Sequence, residues 1–300
     1  MLRLATRAMG TRFELVLARE DEPRWRAAGE AALECIEACD ERWSLFSSSS
    51  LVARVNREAA RTPVRLDPEL YELLERCLAL RERFDGAFDV AIGRRMRALG
   101  FRGEPQAAPR AREGFELDST TRSIRFTTPD TALDLGSIAK GHALDLAAQL
   151  LREQGVDSAL LHGGTSSVIA LGAPPDAQAW RVQIGSDGAH EVLLRDAALS
   201  VSAPRGRTSE AGPETVGHIV DPADGKPVPL GLRACVVAPS AREADAASTA
   251  ALVLHARGAA LESARPHDQT WLVEDGRGDA LVCGEASLFR TIHELAPTHR

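Results

Sequence analysis

The stretch Leu133–Gly172, LDLGSIAKGHALDLAAQLLREQGVDSALLHGGTSSVIALG, constrains this chain more than any other. An apolar residue, an acid and a small-residue turn (Asp134, Gly136, Ser137) lead into a segment whose apolar positions Ala143, Leu144, Ala147, Leu150 and Leu151 recur at helical spacing. Gly155 supplies a left-handed stop, and Ala159 to Leu161 read as a short buried strand ended by Gly163-Gly164. Strand, tight turn, helix, strand and glycine turn in that order predict helix N-terminal amides facing a ligand's phosphates. Lys140 falls in the first helical turn, where a cation opposes the macrodipole, so an acceptor-rich or anionic neighbour is expected there.

The rest of the chain mixes helices and strands without a strict alternation. Arg7 to Ala18 reads as a strand after a Met9-Gly10-Thr11 turn, and Pro23 to Trp43 as a long amphipathic helix. Residues 43 to 56, WSLFSSSSLVARVN, read as a Ser-rich structured loop between apolar anchors. Asp67-Pro68 starts a helix to about Phe84, and an acid-bearing turn follows from Phe84 to Val90. Residues 100–113 read as a surface loop, with short strands near Phe115 and at 124–126. Later strands are expected at 180–184, 192–194, 199–202, 217–221 and 233–237, then a helix at 243–256 and a closing hairpin of 270–273 with 280–283. This pattern predicts an α+β fold of mixed, largely antiparallel sheets flanked by helices rather than a doubly wound sheet.

Composition excludes some functions. The net charge of −7 and dispersed arginines argue against nucleic-acid binding. No run approaches the roughly 20 apolar residues of a transmembrane helix, and the start lacks a signal-peptide core. As written, the chain is expected in the cytoplasm, or in the periplasm if a leader was removed. Cys35 and Cys39, four apart on a helix, read as small residues on a buried face. Lysine occurs only at Lys140 and Lys226, which marks both as places where a compact ammonium suits better than a guanidinium.

Asp245 and Thr249 stand four apart on the late helix, so they share a face and offer hard oxygen ligands suited to Mg²⁺ or Ca²⁺. On spacing alone, a first-turn dipole or cap Asp and a backbone-bonded Thr are the commoner readings, and the pair gains meaning only with the other segments. His218, before the Asp221-Pro222 turn, has an intrinsic pKa suited to a general base, or it is a strand-end histidine bonded to backbone. His162 offers the same chemistry with less support.

Taken in order, Met9-Gly10-Thr11, the 43–56 loop with Phe46 and a closing Asn56, Phe88-Asp89, LDLGSIAKGHALD, HGG at 162–164, HIVDPADGKP at 218–227 and VVAPSAREADAASTAALVL at 236–254 resemble the ApbE family, the FAD:protein FMN transferases. The resemblance spans almost the whole chain. It implies a bilobal, T-fold-related enzyme of one domain, residues 1–300, with its two lobes sharing a central cleft. Such an enzyme uses Mg²⁺ to split FAD, moves FMN onto a Thr or Ser hydroxyl of an acceptor protein, and releases AMP. By position, Asp245, Thr249 and a main-chain oxygen at Ser137 would hold the metal. Met9, Phe46, Ala87, Phe88, Asp89, Asp134, Lys140 and Ile219 would contact FAD, and His218 would be the base. Hydrolysis of FAD to FMN and AMP, and flavin binding without chemistry, are the alternative functions. Two departures stand out. Residues 201–207 read VSAPRGR where the family has a Thr-Ser-Gly turn, and His162 replaces an Asn. Pro204 stiffens that turn and removes an amide.

Overall fold

Met9 and Gly10 both take positive φ, 50° and 71°, which makes the two-residue loop of a primed hairpin whose twist matches its strands. The sequence reading places this turn correctly, but the residues before it form a strand as well. In the computed structural model, which describes residues 1–19, 23–45, 47–102, 107–109, 113–184, 190–209, 215–277 and 279–291, the strands are β1 (Leu2–Ala8), β2 (Thr11–Leu17), β3 (Val64–Arg65), β4 (Phe115–Asp118), β5 (Ser123–Phe126), β6 (Ala159–Gly163), β7 (Ser167–Leu171), β8 (Trp180–Ile184), β9 (His190–Leu194), β10 (Ala198–Ser202), β11 (Thr208–Ser209), β12 (Val216–Gly217), β13 (Arg233–Ala238), β14 (Thr270–Glu274), β15 (Ala280–Cys283) and β16 (Phe289–Thr291). The helices are α1 (Pro23–Trp43), α2 (Leu51–Glu58), α3 (Pro68–Arg83), α4 (Gly93–Ala98), α5 (Ala139–Glu153), α6 (Ala241–Ala256) and α7 (Leu261–Ala264).

Eight strands form one sheet in the order β1-β2-β6-β7-β10-β13-β14-β15, antiparallel at every pairing. This is the mixed α+β architecture expected. One face packs on α1, α5 and α6 and makes the main core. The other face is covered at its centre by the small sheet β16-β9-β8, where Trp180, Ile184, Val192 and Leu194 meet Val168, Leu199 and Val237. Central strands β7 and β13 are therefore covered on both sides, which is why SVIAL and ACVVA read as apolar runs without alternation.

Local sequence rules account for most ends. Asp67 caps α3 through Leu70 N at 2.7 Å, ahead of Pro68. Ser50 caps α2 in the same way through Ala53 N at 3.0 Å, so half of the expected 43–56 loop is a helix started by the last serine of its run. Leu133 to Leu135 belong to no strand. Asn56 of α2 takes that place, accepting from Leu133 N at 2.7 Å and donating to Leu133 O at 3.0 Å. Of the expected 217–221 strand, only Val216–Gly217 is strand, followed by a single bridge between Val220 and Pro227.

Helices α5 and α6 cross at the centre, and each ends on the other. Asp145 of α5 accepts from Ala241 N at 2.7 Å and Arg242 N at 3.1 Å, the first amides of α6. Asp245 of α6 accepts from Gly141 N at 2.7 Å, near the start of α5. This exchange satisfies orphan amides and places a carboxylate at each positive helix end. Of the amides at the start of α5, that of Gly141 is therefore taken by Asp245. The crossing needs Gly141: a Cβ there would stand 2.1 Å from Ala241 O, a backbone atom that cannot swing aside. Ala244, Ala246, Ala247, Ala250 and Ala251, all fully buried, let α6 lie close to both α5 and the sheet.

Among the described residues no helix is long and apolar enough to cross a membrane. The five cysteines are free, with Cys39 buried on α1 as expected and Cys35 partly so. Gly141→Ala would gain about 1 kcal/mol from helix propensity alone. The clash at the crossing is expected to reverse the sign and destabilise the protein by about 2 kcal/mol or more. Urea unfolding of the variant measures this, and a stabilised Gly141→Ala protein would refute the crossing geometry.

Candidate functional site

A cavity of about 810 Å³ opens beside the α5–α6 crossing, within the range of about 300–1,000 Å³ usual for small-molecule sites. Eleven of the twelve residues named from the sequence line it: Met9, Ala87, Phe88, Asp89, Asp134, Ser137, Lys140, His218, Ile219, Asp245 and Thr249. The twelfth, Phe46, lies outside the described residues, as does half of the expected loop at 100–113.

Asp245 is buried at 3% exposure, and each of its carboxylate oxygens has a defined partner. Oδ2 accepts from Gly141 N, with Lys140 Nζ 3.9 Å away. Oδ1 accepts from Ser167 Oγ at 2.7 Å, a hydroxyl itself fully buried on β7. The anionic neighbour that Lys140 requires is thus Asp245. Thr249 lies one turn on and donates to Asp245 O at 3.3 Å, which leaves its oxygen lone pairs as ligands. Ser202 at the end of β10 continues this polar strip, 2.8 Å from Ser248 Oγ and 3.4 Å from Thr249 Oγ1.

Such a donor set suits a hard divalent cation. Among the described residues no three His, Cys, Asp or Glu side chains gather as a cage. Asp245, Thr249 and Ser137 line the same cavity and are the residues that could hold such an ion, with the rest of its shell left to other oxygens. This is the usual manner of Mg²⁺.

The opposite wall is built from turns. Asp85 and Gly86 take positive φ, 48° and 66°, and turn the chain so that Ala87 to Asp89 face the cavity. The Asp89 carboxylate is itself engaged, with Arg81 Nε at 3.0 Å and Ala91 N at 2.9 Å. Asp134 is anchored by its amide to Val90 O at 2.8 Å, and its carboxylate accepts from Gly136 N at 2.8 Å and twice from Arg102.

His218 sits against the turn that Pro204 opens. Its Nδ1–H is shared between Arg207 O at 3.2 Å and Pro204 O at 3.3 Å. That fixes the tautomer and leaves Nε2 as the acceptor. Burial lowers the His218 pKa below the usual 6.5; the cations Arg207 and Arg102 act the same way, against the two carbonyl bonds. Phe101 meets the imidazole edge-on, with centroids 6.4 Å apart. Pro204 also packs on Gly217, where a Cβ would fall 2.5 Å from the proline Cβ. One turn on, Asp221 is clamped by Nε and Nη2 of Arg257, at 2.7 and 2.6 Å, which ties the His218 segment to the end of α6.

Two residues singled out in the sequence stay outside. His162 bonds Glu14 and Gly164 O, each at 3.1 Å, and does not line the cavity. Lys226 lies on the surface, 82% exposed, paired with Asp224 at 2.8 Å. Arg102 and Ser167 were missed. Nothing distinguishes Arg102 among many arginines, whereas Ser167 carried a signal as a hydroxyl opening the otherwise apolar run SVIAL.

A model of the ApbE family matches residues 9–270. The chain belongs to the ApbE family. The FAD:protein FMN transferase of Treponema pallidum (strain Nichols) is 32% identical to it over 259 residues, 76% of this chain and 71% of that protein. The crystal structure of the ApbE protein of Thermotoga maritima matches with a TM-score of 0.84 at 25% identity, covering 94% and 96% of the two chains. The flavin transferase ApbE of Vibrio cholerae shares the fold, with a TM-score of 0.77 at 20% identity over 96% and 99%. The cavity of this ApbE protein therefore lies in a fold the family shares.

Ser167→Ala removes the only side-chain hydroxyl on Asp245 Oδ1 among the described residues, leaving a buried carboxylate oxygen short of a donor. The expected cost is about 1–3 kcal/mol of stability. Urea denaturation checks it, and an unchanged midpoint would show that the bond carries no weight.

Proposed function

We propose that this protein is an FAD:protein FMN transferase: it moves FMN from FAD to a Thr or Ser hydroxyl of an acceptor protein and releases AMP. The observation that carries the reading is the meeting of Asp245 and Thr249, the Asp134–Lys140 turn and His218 around one cavity. Three distant parts of the sequence supply a set of hard oxygens, cations and a neutral imidazole. The chain acts as one unit, with both lobes contributing walls to this cleft. The relatives named FAD:protein FMN transferase support the substrate and the transferase class.

On this reading the acceptor hydroxyl gives up its proton to Nε2 of His218, and its oxygen bonds to the phosphorus on the FMN side of the diphosphate. The bond from that phosphorus to the bridging oxygen breaks, and AMP leaves with that oxygen. His218 suits the task because its Nδ1 is fixed by two carbonyls and its pKa is held down, so the imidazole is neutral near neutral pH. Asp245, Thr249 and the Ser137 carbonyl would hold Mg²⁺, which when bound neutralises charge on the diphosphate. Asp245 is kept in place by Gly141 N and Ser167 Oγ from two other elements. Met9, the Ala87–Asp89 turn and Ile219 offer the apolar and polar contacts an isoalloxazine ring needs.

The test is to incubate the protein with FAD, Mg²⁺ and Thr-bearing peptides or a candidate partner. Flavin fluorescence that survives denaturation, together with released AMP, is the expected result. AMP without covalent flavin would instead establish FAD hydrolysis, and bound FAD with neither product would establish a binding protein. Asp245→Asn, folded by circular dichroism, is expected to lose about 100-fold or more of Mg²⁺-dependent turnover, an effect of several kcal/mol. Turnover within a few-fold of the parent, on the same scale, would remove Asp245 from the metal site.

The pH profile follows from His218. A base works only unprotonated, and its pKa lies below 6.5, so kcat/KM should stay flat as pH falls to that value and drop on the acid side of it. His218→Asn should lower turnover by about 10²- to 10⁴-fold and abolish that acid limb. An acid limb centred above 6.5, or one retained by the variant, argues for another base.

A further inference from the structure

Arg102 lines the cavity and has a buried partner. Its side chain is 13% exposed and that of Asp134 is 4% exposed. Nε donates to Asp134 Oδ2 at 2.7 Å and Nη2 to Oδ1 at 3.2 Å, the side-on bidentate arrangement. Asp134 is in turn fixed through Val90 O and Gly136 N. Arginine ordinarily loses much rotamer freedom when it grips a ligand. Here that freedom is already spent, because the guanidinium is pinned to a rigid wall.

Its hydrogens leave a use open. Nη1 donates to Phe101 O at 3.3 Å, so among the described residues three of the five N–H groups are engaged. Side-on use of Nε and Nη2 leaves the end-on fork, one hydrogen on each terminal nitrogen. The guanidinium also rests on the turn into α5: a Cβ at Gly136 would stand 2.8 Å from Nη2. That turn runs on through Ser137 to Lys140. Arg102–Asp134 and Lys140–Asp245 are each opposite-charge pairs, so at these walls the cavity has no standing excess of charge to repel or hold an anion. A planar fork of two donors matches two oxygens of a phosphate, which a lone ammonium cannot do.

We propose that Arg102 is a substrate-specificity residue whose free fork grips phosphate oxygens of the flavin dinucleotide, so that the site selects phosphate-bearing flavins over the bare ring system. This rests on the reading of FAD as the substrate. The Arg102–Asp134 pair stays intact on binding, and the phosphate adds to it on the unused edge.

Equilibrium binding tests the idea without turnover. FAD, FMN and riboflavin are titrated, with Mg²⁺ present, into the parent protein, Arg102→Gln and Arg102→Lys. Loss of a charge-assisted contact predicts that Arg102→Gln binds FAD about 10- to 100-fold more weakly while riboflavin changes by less than about 2-fold. Arg102→Lys, which keeps charge without the fork, should recover part of the FAD affinity. FAD binding to the parent should also weaken more steeply with salt than binding to Arg102→Gln. Equal losses for FAD and riboflavin would make Arg102 a purely structural partner of Asp134, and unchanged FAD affinity would overturn the proposal outright. If Arg102→Gln fails to unfold cooperatively, Arg102→Lys decides by the same comparison of the two flavins. A parent protein that binds no flavin defeats the reading of the substrate itself, a separate outcome from a parent that binds FAD independently of Arg102.

Discussion

The exchange of carboxylates between α5 and α6 is the constraint on which the rest depends. Each helix start presents unpaired amides and a partial positive charge, and burying two such ends together would be costly. Asp145 and Asp245 resolve this by crossing over, each closing the other's first turn. The crossing is possible because Gly141 and the alanines of α6 let backbones approach. Asp245 therefore has a structural duty before it has a chemical one. The chain holds a buried carboxylate at the rim of a cavity because two helices need it there, and Lys140 beside it has a reason to sit at the wrong end of a helix dipole.

Much of this could be read from the residues. The Met9-Gly10 turn, the Asp67-Pro68 cap and the helical spacing of α1, α3, α5 and α6 follow from backbone rules that act over a few positions. The candidate site was legible in a different way, because the ordered motifs resemble a family, and the structure gathers those motifs around one space. Spacing alone could not have joined Asp134, His218 and Asp245, which come together only through tertiary packing.

What escaped was set by contacts between distant residues or by small ambiguities of pattern. Arg102 takes its meaning from Asp134, and nothing in its own neighbourhood says so. Asn56 stands in for a strand by pairing both backbone groups of Leu133, so the expected strand at the start of the central unit is a segment outside any sheet, held by Asn56 and by the Val90 carbonyl. The α2 helix was hidden because a serine run looks like a loop until its last member is recognised as a cap. Lys226 drew notice for its rarity, and a solvated turn with Asp224 explains it without any site.

The turn at 203–207 bears on how such a chain can change over time. Pro204 lies on Gly217 so tightly that a side chain at 217 has no room, while the carbonyls of Pro204 and Arg207 together hold the His218 ring. The two positions are thus interlocked. The atoms that crowd 217 are the Cβ and the backbone carbonyl of residue 204, which any residue but glycine would also place there, so the path of the turn itself requires glycine at 217. A side chain gained at 217 would push this turn away and with it the two carbonyls that orient the imidazole, so the smallest residue of the segment sets the aim of its largest polar ring.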